Sequence, residues 1–264
     1  MSEPSRIPPA IWINGCTNRV TQERNHLPGA GFRDRREAGQ QLAARLAPFA
    51  RRDDIVVLAL PRGGVPVAFE VARALQAPLD LFLVRKLGAP GHPELAIGAL
   101  ASGGVRVLNH DVLAELQIPR AAIEQVAARE LLELERREKA YHVDGPTLDL
   151  RGKTVIVVDD GLATGSTMEA AVSALRAHQP AKVVVAVPVG AADSCCRLRA
   201  FADETICPQT PEPFNAVGQW YQMFEQTTDA EVVTLLRLAN NRTPPSRQTP
   251  AASDDGAGLD WKIR

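Results

Sequence analysis

The sequence predicts an α/β fold: an open, mostly parallel twisted sheet flanked by helices, with a small hood. Three observations predict it. Strand-length apolar runs recur at residues 55–60, 79–84, 154–158 and 183–189, segments of helical periodicity alternate with them, and loops rich in glycine or acids follow the strands. The run at 154–158 is β-branched with no polar alternation, as expected of a strand covered on both faces.

Taken in order, residues 32–49 place Ala38, Leu42, Ala43 and Leu46 at helical spacing ahead of the strand at 55–60. A second helix at 65–75 leads into a strand at 79–84. Residues 87–104 hold Gly88, Pro90, Gly91, Pro93, Gly98, Gly103 and Gly104, and so many breakers predict a mobile excursion. Charged helical stretches at 111–116 and 120–141 follow, the second carrying Glu133 with Arg137 and Glu135 with Lys139 at i,i+4 spacing. Strand 154–158, helix 168–178 and strand 183–189 alternate as a βαβ unit should, and a short strand at 204–207 closes the series. Thr228-Asp229-Ala230-Glu231 reads as a capping box opening a last helix to about Leu238.

Composition narrows the function classes. A chain of 264 residues that is 45% hydrophobic and 23% charged is ordinary for a globular protein, and no run reaches the apolar length of a membrane helix. Residues 1–13 lack a basic start followed by a long apolar segment, so the expectation is a cytoplasmic protein without a membrane partner. Net charge is −1, and Arg33, Arg35, Arg36, Arg51 and Arg52 are interleaved with Asp34, Glu37, Asp53 and Asp54. That pattern reads as a solvated helix face, and no nucleic-acid partner is expected. Cys16, Cys195, Cys196 and Cys207 have no C-x-x-C spacing and read as reduced packing thiols.

The chemistry is concentrated after the strand at 154–158. Asp159 and Asp160 are followed by Gly161, Leu162, Ala163, Thr164, Gly165, Ser166 and Thr167. Glycines tolerate the backbone angles that turn several N–H groups to one point, hydroxyls add donors, and the following helix offers its positive end, so the loop suits a phosphate. Two carboxylates beside it repel that phosphate and suit a neutral polyol or a metal ion; a ribose diol donates twice to groups that only accept. Phosphate plus ribose hydroxyls means a ribose 5-phosphate. A P-loop is excluded because Ser166 stands where its lysine belongs, and a dinucleotide fingerprint because the acids precede the glycines.

Two further motifs fall at strand ends. Pro61-Arg62-Gly63-Gly64 precedes a helix and sets backbone donors and a guanidinium before an anion, and Arg85-Lys86 closes the run at 79–84.

Four apolar residues, two acids and Gly-Leu-Ala-Thr-Gly-Ser-Thr resemble the phosphoribosyl-diphosphate (PRPP) motif of type I phosphoribosyltransferases, and residues 32–238 resemble a stand-alone bacterial branch of that family. The resemblance implies that Asp159 and Asp160 hold the ribose 2- and 3-hydroxyls and residues 161–167 the 5-phosphate. It makes Arg62, Gly63 and Gly64 the pyrophosphate loop, in which members often hold a cis peptide. It implies that Lys86, beside Arg85, reaches pyrophosphate, and that residues 87–104 close over the site, His92 and Glu94 being weaker polar candidates. The implied reaction is transfer of phosphoribosyl from PRPP to a base-like acceptor, as in nucleotide salvage, with Mg2+ as cofactor, met by Asp159 and Asp160 through water or substrate. Phe214, Trp220 and Tyr221 would either stack on a nucleobase, as an aromatic residue does in related purine enzymes, or pack a lid onto the domain.

The expected organisation is an N-terminal extension (1–31, partly disordered), a phosphoribosyltransferase domain (32–238, hood at about 109–145 and 206–238) and a disordered tail (239–264). Residues 120–141 are expected to form hood or homodimer surface, and Trp12 and Trp261 to tether the ends. The reading from another class is a regulator that binds PRPP or a nucleotide without turnover. A third, a hydrolase, would need a base that no residue supplies legibly.

Overall fold

The computed structural model of the chain describes residues 31–141 and 149–241; the N-terminal extension up to residue 30, the tail beyond 241, Trp12 and Trp261 lie outside the described residues. In chain order come helix α1 (Arg35–Arg45), strand β1 (Ile55–Ala59), helix α2 (Gly64–Leu75) and strand β2 (Leu79–Leu81). Strands β3 (Val84–Ala89), β4 (His92–Ala101) and β5 (Val105–Leu108) follow, then helices α3 (His110–Glu115) and α4 (Arg120–Ala140). The chain continues with β6 (Thr154–Val158), α5 (Ser166–Arg176), β7 (Lys182–Ala186), α6 (Ala192–Leu198), β8 (Glu204–Ile206) and α7 (Asp229–Asn240).

Five strands form a wholly parallel sheet in the order β2-β1-β6-β7-β8. Every residue of β1 and β6 is buried. Their side chains alternate between two cores: Ile55, Val57, Ile156 and Val158 meet Leu42, Val71 and Leu75, whereas Val56, Leu58, Val155 and Val157 meet Met168, Val172, Leu175 and Leu198. Helices on both faces are the reason these strands show no polar alternation.

Two expectations are corrected. The run at 79–84 is not one strand: β2 stops at Leu81, and β3 begins at Val84 in a second sheet. The glycine-rich interval, read as an excursion rich in breakers, is itself paired strand and forms most of that antiparallel sheet, ordered β3-β4-β5. Its breakers serve the turns and the strand pairing. Gly91 (φ +78°) and Gly104 (φ +75°) take left-handed angles next to strand ends, and at Gly98 a Cβ would collide with the Val107 carbonyl on β5. Helix α4 packs over β3 and β4 through Ile123, Ala127 and Leu134, with Glu133 paired to Arg137 at 2.8 Å. The last helix opens as expected, Thr228 accepting from the Glu231 N–H at 3.1 Å, and it reaches Asn240, into the stretch assigned to the tail. Helix α6 and a 3-10 turn at Val217–Trp220 were not anticipated. Among the described residues no helix is long and apolar enough to cross a membrane; Cys195 and Cys207 are free thiols, whereas Cys196 is disulfide-bonded, which corrects its reading as a reduced thiol.

Candidate active site

The carboxyl ends of neighbouring parallel strands carry the two main motifs: β1 runs into Pro61-Arg62-Gly63-Gly64, and β6 into residues 159–167. Crevices at this edge of an open α/β sheet are where such folds bind ligands.

The loop after Asp160 is anchored by one apolar side chain and opened by the rest. Leu162 is buried; its N–H donates to the Val189 carbonyl (3.0 Å), and its carbonyl accepts from Ala191 (2.8 Å). Gly165 takes φ +78° and caps α5 without a side-chain hydrogen bond, so the N–H groups of the first turn lack that partner. Thr164 and Thr167 are exposed, and the Thr164 and Ser166 hydroxyls lie 3.3 Å apart. Two loop carbonyls are held from α6: Ser194 Oγ donates to Ala163 O (2.6 Å) and Arg197 Nη2 to Thr164 O (2.6 Å). The N–H groups and hydroxyls are then what the loop offers an oxyanion.

The acid pair stands against the glycine pair. A Cβ on Gly63 would collide with Asp160 Oδ2, and one on Gly64 would lie 2.7 Å from the Val158 carbonyl and 2.9 Å from Asp159 Cα. Residues 63 and 64 are therefore glycine for close approach, and the Gly64 N–H is itself taken by the Leu60 carbonyl at 3.1 Å. Asp159 Oδ1 accepts from the Asp160 N–H at 2.8 Å. Burial and the adjacent carboxylate push Asp159 well above the ordinary carboxylate range. Burial also raises Asp160, against the pull of the Arg35 guanidinium.

Arg35 corrects the reading of the first helix as a solvated basic face. Its side chain is only 12% exposed, and its Nε donates to Asp160 Oδ2 at 2.8 Å. Nothing in the local spacing distinguishes it from Arg33 and Arg36, so composition could not single it out.

The remaining expected residues are distributed unequally. The Pro61–Arg62 peptide is cis, and Arg62 faces Asp229 at 3.6 Å, where Asp229 also accepts from Tyr141 Oη at 2.8 Å. That hydrogen bond and burial push the Tyr141 hydroxyl up to about 12, burial contributing more. Arg85 is committed to Glu130 on α4 at 2.6 Å, while Lys86, next to it on a strand, projects to the opposite face. Arg85 also lines a narrow cleft with Leu60, Pro61, Arg137 and Thr167, which adds Arg137 to the basic groups at this edge. His92 is exposed where the β3–β4 hairpin turns; the Glu94 side chain lies outside those described.

The aromatic segment divides. Tyr221 is buried, its hydroxyl donates to the Asp160 carbonyl at 2.5 Å and its ring lies 5.4 Å from Phe32 and 5.0 Å from Phe224, the packing alternative rather than an open stacking face. Phe214 and Trp220 stack on each other at 6.2 Å. Phe224, absent from the expected set, is 38% exposed and carries the Arg35 guanidinium 4.0 Å from its ring centroid. Val217 packs against Gly161, where a Cβ would lie 2.5 Å from Val217 Cγ1. Among the described residues no group of three His, Cys, Asp or Glu side chains is placed to hold a metal ion.

The carboxyl edge of the parallel sheet thus joins a hydroxyl-rich loop, paired acids and a glycine-arginine loop in one α/β protein. The chain belongs to the phosphoribosyl transferase domain family, whose model matches residues 34–219. It is 49% identical over 223 residues to two Mycobacterium tuberculosis proteins, of strains CDC 1551 and H37Rv, each bearing the name "Putative phosphoribosyl transferase". The match takes in 84% of this chain and 50% of those proteins, so the chain spans about half the length of these relatives. The crystal structure of TT1426 from Thermus thermophilus is 46% identical and superposes with a TM-score of 0.73, over 78% of this chain and 97% of that one.

Proposed function

We propose that the protein transfers the 5-phosphoribosyl group of PRPP to a nitrogenous base or similar acceptor, releasing pyrophosphate. The observation that carries this reading is the direct packing of the acid pair on the Gly63-Gly64 loop. It sets the acid pair against the glycine-arginine loop, with the hydroxyl-rich loop continuous in the chain on the other side, and this neighbourhood supports the reading. Bound there, residues 161–167 hold the 5-phosphate, Asp159 and Asp160 accept from the ribose hydroxyls, and Gly63, Gly64, Arg62 and Lys86 face the leaving group. As the bond at C1 breaks, positive charge grows on the sugar ring; the carboxylates offset it while the cationic side stabilises the departing diphosphate.

The donor set suits magnesium delivered with the substrate. Two carboxylates, one already paired to Arg35, are too few for a protein cage, and Mg2+ keeps several waters and binds substrate phosphates beside one or two carboxylates. It supplies Lewis-acid neutralisation of the diphosphate. Asp159 and Asp160 would meet it through water or substrate oxygens.

A pyrophosphate-release screen of PRPP and magnesium against a panel of purine and pyrimidine bases tests the proposal. Release with one acceptor and its loss in Asp160→Asn are expected. Tight PRPP binding with no release for any acceptor would replace catalysis by sensing, and no PRPP binding would remove the ribosyl reading altogether.

A further inference from the structure

Arg35 reaches three separate parts of the molecule at once. It belongs to α1, directly after the N-cap Asp34, which accepts from the Glu37 N–H at 2.8 Å and so settles where the helix begins. Its Nε donates to Asp160 Oδ2 (2.8 Å) and would lie 3.3 Å from a Cβ on Gly63. Its Nη1 donates to the Glu225 carbonyl (2.6 Å), and its guanidinium lies over the Phe224 ring at 4.0 Å and 5.9 Å from that of Tyr221. The residues joined this way are 125 and 190 positions apart in the chain. Backbone hydrogen bonds tie the same strands of chain together alongside it: Phe32 donates to the Trp220 carbonyl (2.7 Å), and Gln222 and Met223 donate to the carbonyls of Phe32 and Arg33 (2.8 Å each).

We propose that Arg35 is a positioning residue for ribose recognition: its guanidinium fixes Asp160 through Oδ2, keeps Oδ1 turned to a sugar hydroxyl, and ties that carboxylate to the aromatic segment through Glu225 and Phe224. Arg35 takes Oδ2 of Asp160 and makes no hydrogen bond to Oδ1. A flat guanidinium suits this place better than an ammonium, since it can donate along its edge to a carboxylate and a carbonyl while its face lies on an aromatic ring. The pair is shielded, at 12% and 15% exposure, so it is screened by solvent far less than the surface pairs on α4. Arg35 touches neither the phosphate loop nor the Arg62 side chain in any contact described above. Its effect should therefore fall on the sugar hydroxyls and not on the 5-phosphate.

This inference rests on the ribosyl reading of the site, and the experiment separates the two. Ribose 5-phosphate and 2-deoxyribose 5-phosphate are titrated calorimetrically into the full chain and into Arg35→Ala and Arg35→Lys. Wild type is expected to prefer ribose 5-phosphate by at least about tenfold, the cost of leaving a charged acceptor without its donor. In Arg35→Ala that preference collapses towards unity, with binding of the 2-deoxy sugar little changed, and Arg35→Lys recovers part of it. Low concentrations of added guanidinium should partly restore the preference in Arg35→Ala. Equal weakening of both sugars, or an unchanged preference, overturns the positioning role, and so does a wild type without preference. A wild type that binds neither sugar sinks the ribosyl reading itself. Should Arg35→Ala fail to fold, Phe224→Leu, which removes the ring under the guanidinium and leaves the ion pair, applies the same criterion: the preference falls or the inference does.

Discussion

The proposed phosphate loop and the acid pair adjoin in the chain but are held in different ways. The loop is local: Leu162 plugs it into the core, Gly165 turns it into α5, and the pins outside it, Ser194 and Arg197, come from the next helix, α6. The acid pair is assembled from afar, by Gly63 and Gly64 after β1, by Arg35 on α1 and by Tyr221 past the last strand. A local anion site needs only backbone conformation and can be written as a short motif. A paired-acid site needs a counter-charge and close packing against like charge, and those come from wherever the fold supplies them.

Three variants sharpen or break that contrast. The largest effect is expected from Gly63→Ala. The backbone there (φ −60°, ψ −33°) accepts alanine without strain, so the substitution reports only the Cβ driven against Asp160 Oδ2. Displacing a shielded, ion-paired carboxylate should weaken PRPP binding about 100-fold while the melting temperature moves little. Native affinity would show that the acids do not depend on the distant loop.

An intermediate effect is expected from Ser194→Ala combined with Arg197→Ala. Each removes one donor to a loop carbonyl, worth roughly 1 kcal/mol, so calorimetry should record about a tenfold to thirtyfold loss for PRPP, with ribose 5-phosphate and 2-deoxyribose 5-phosphate weakened alike. A loss confined to the ribo sugar would mean that α6 supports the acids instead of the loop.

The smallest belongs to Tyr221→Phe. The hydroxyl donates to the Asp160 backbone carbonyl and is raised by burial, which keeps it neutral across the working pH range. Deleting it should cost about 1 kcal/mol of stability on chemical denaturation. The distinction between ribo and 2-deoxyribo sugars should change by less than about threefold. A larger change would promote Tyr221 from packing to positioning.

Legibility followed the same division. The strand-loop-helix at residues 154–176 could be read because a doubly covered strand, two acids and a Gly/Thr/Ser loop each have their own local cause. The β3–β5 sheet was misread because glycine breaks a strand in general but serves a turn or a close backbone crossing in particular, and only the facing Val107 carbonyl tells which. Arg35 and Phe224 were invisible for a related reason. An arginine among acids on a helix looks solvated until its partner, Asp160, is brought to it, and an aromatic ring acquires meaning only from the guanidinium placed on it.

From the residues alone followed an α/β chain with its parallel sheet, the order of its main elements, and a glycine- and hydroxyl-rich loop with two acids at a strand end, because short-range rules of burial period, backbone freedom and helix polarity govern all of these. Tertiary structure alone decided which side chain neutralises Asp160, why residues 63 and 64 admit no Cβ, and which aromatic ring carries the guanidinium. Charge pairing and steric exclusion act through space, and chain separation carries no record of them.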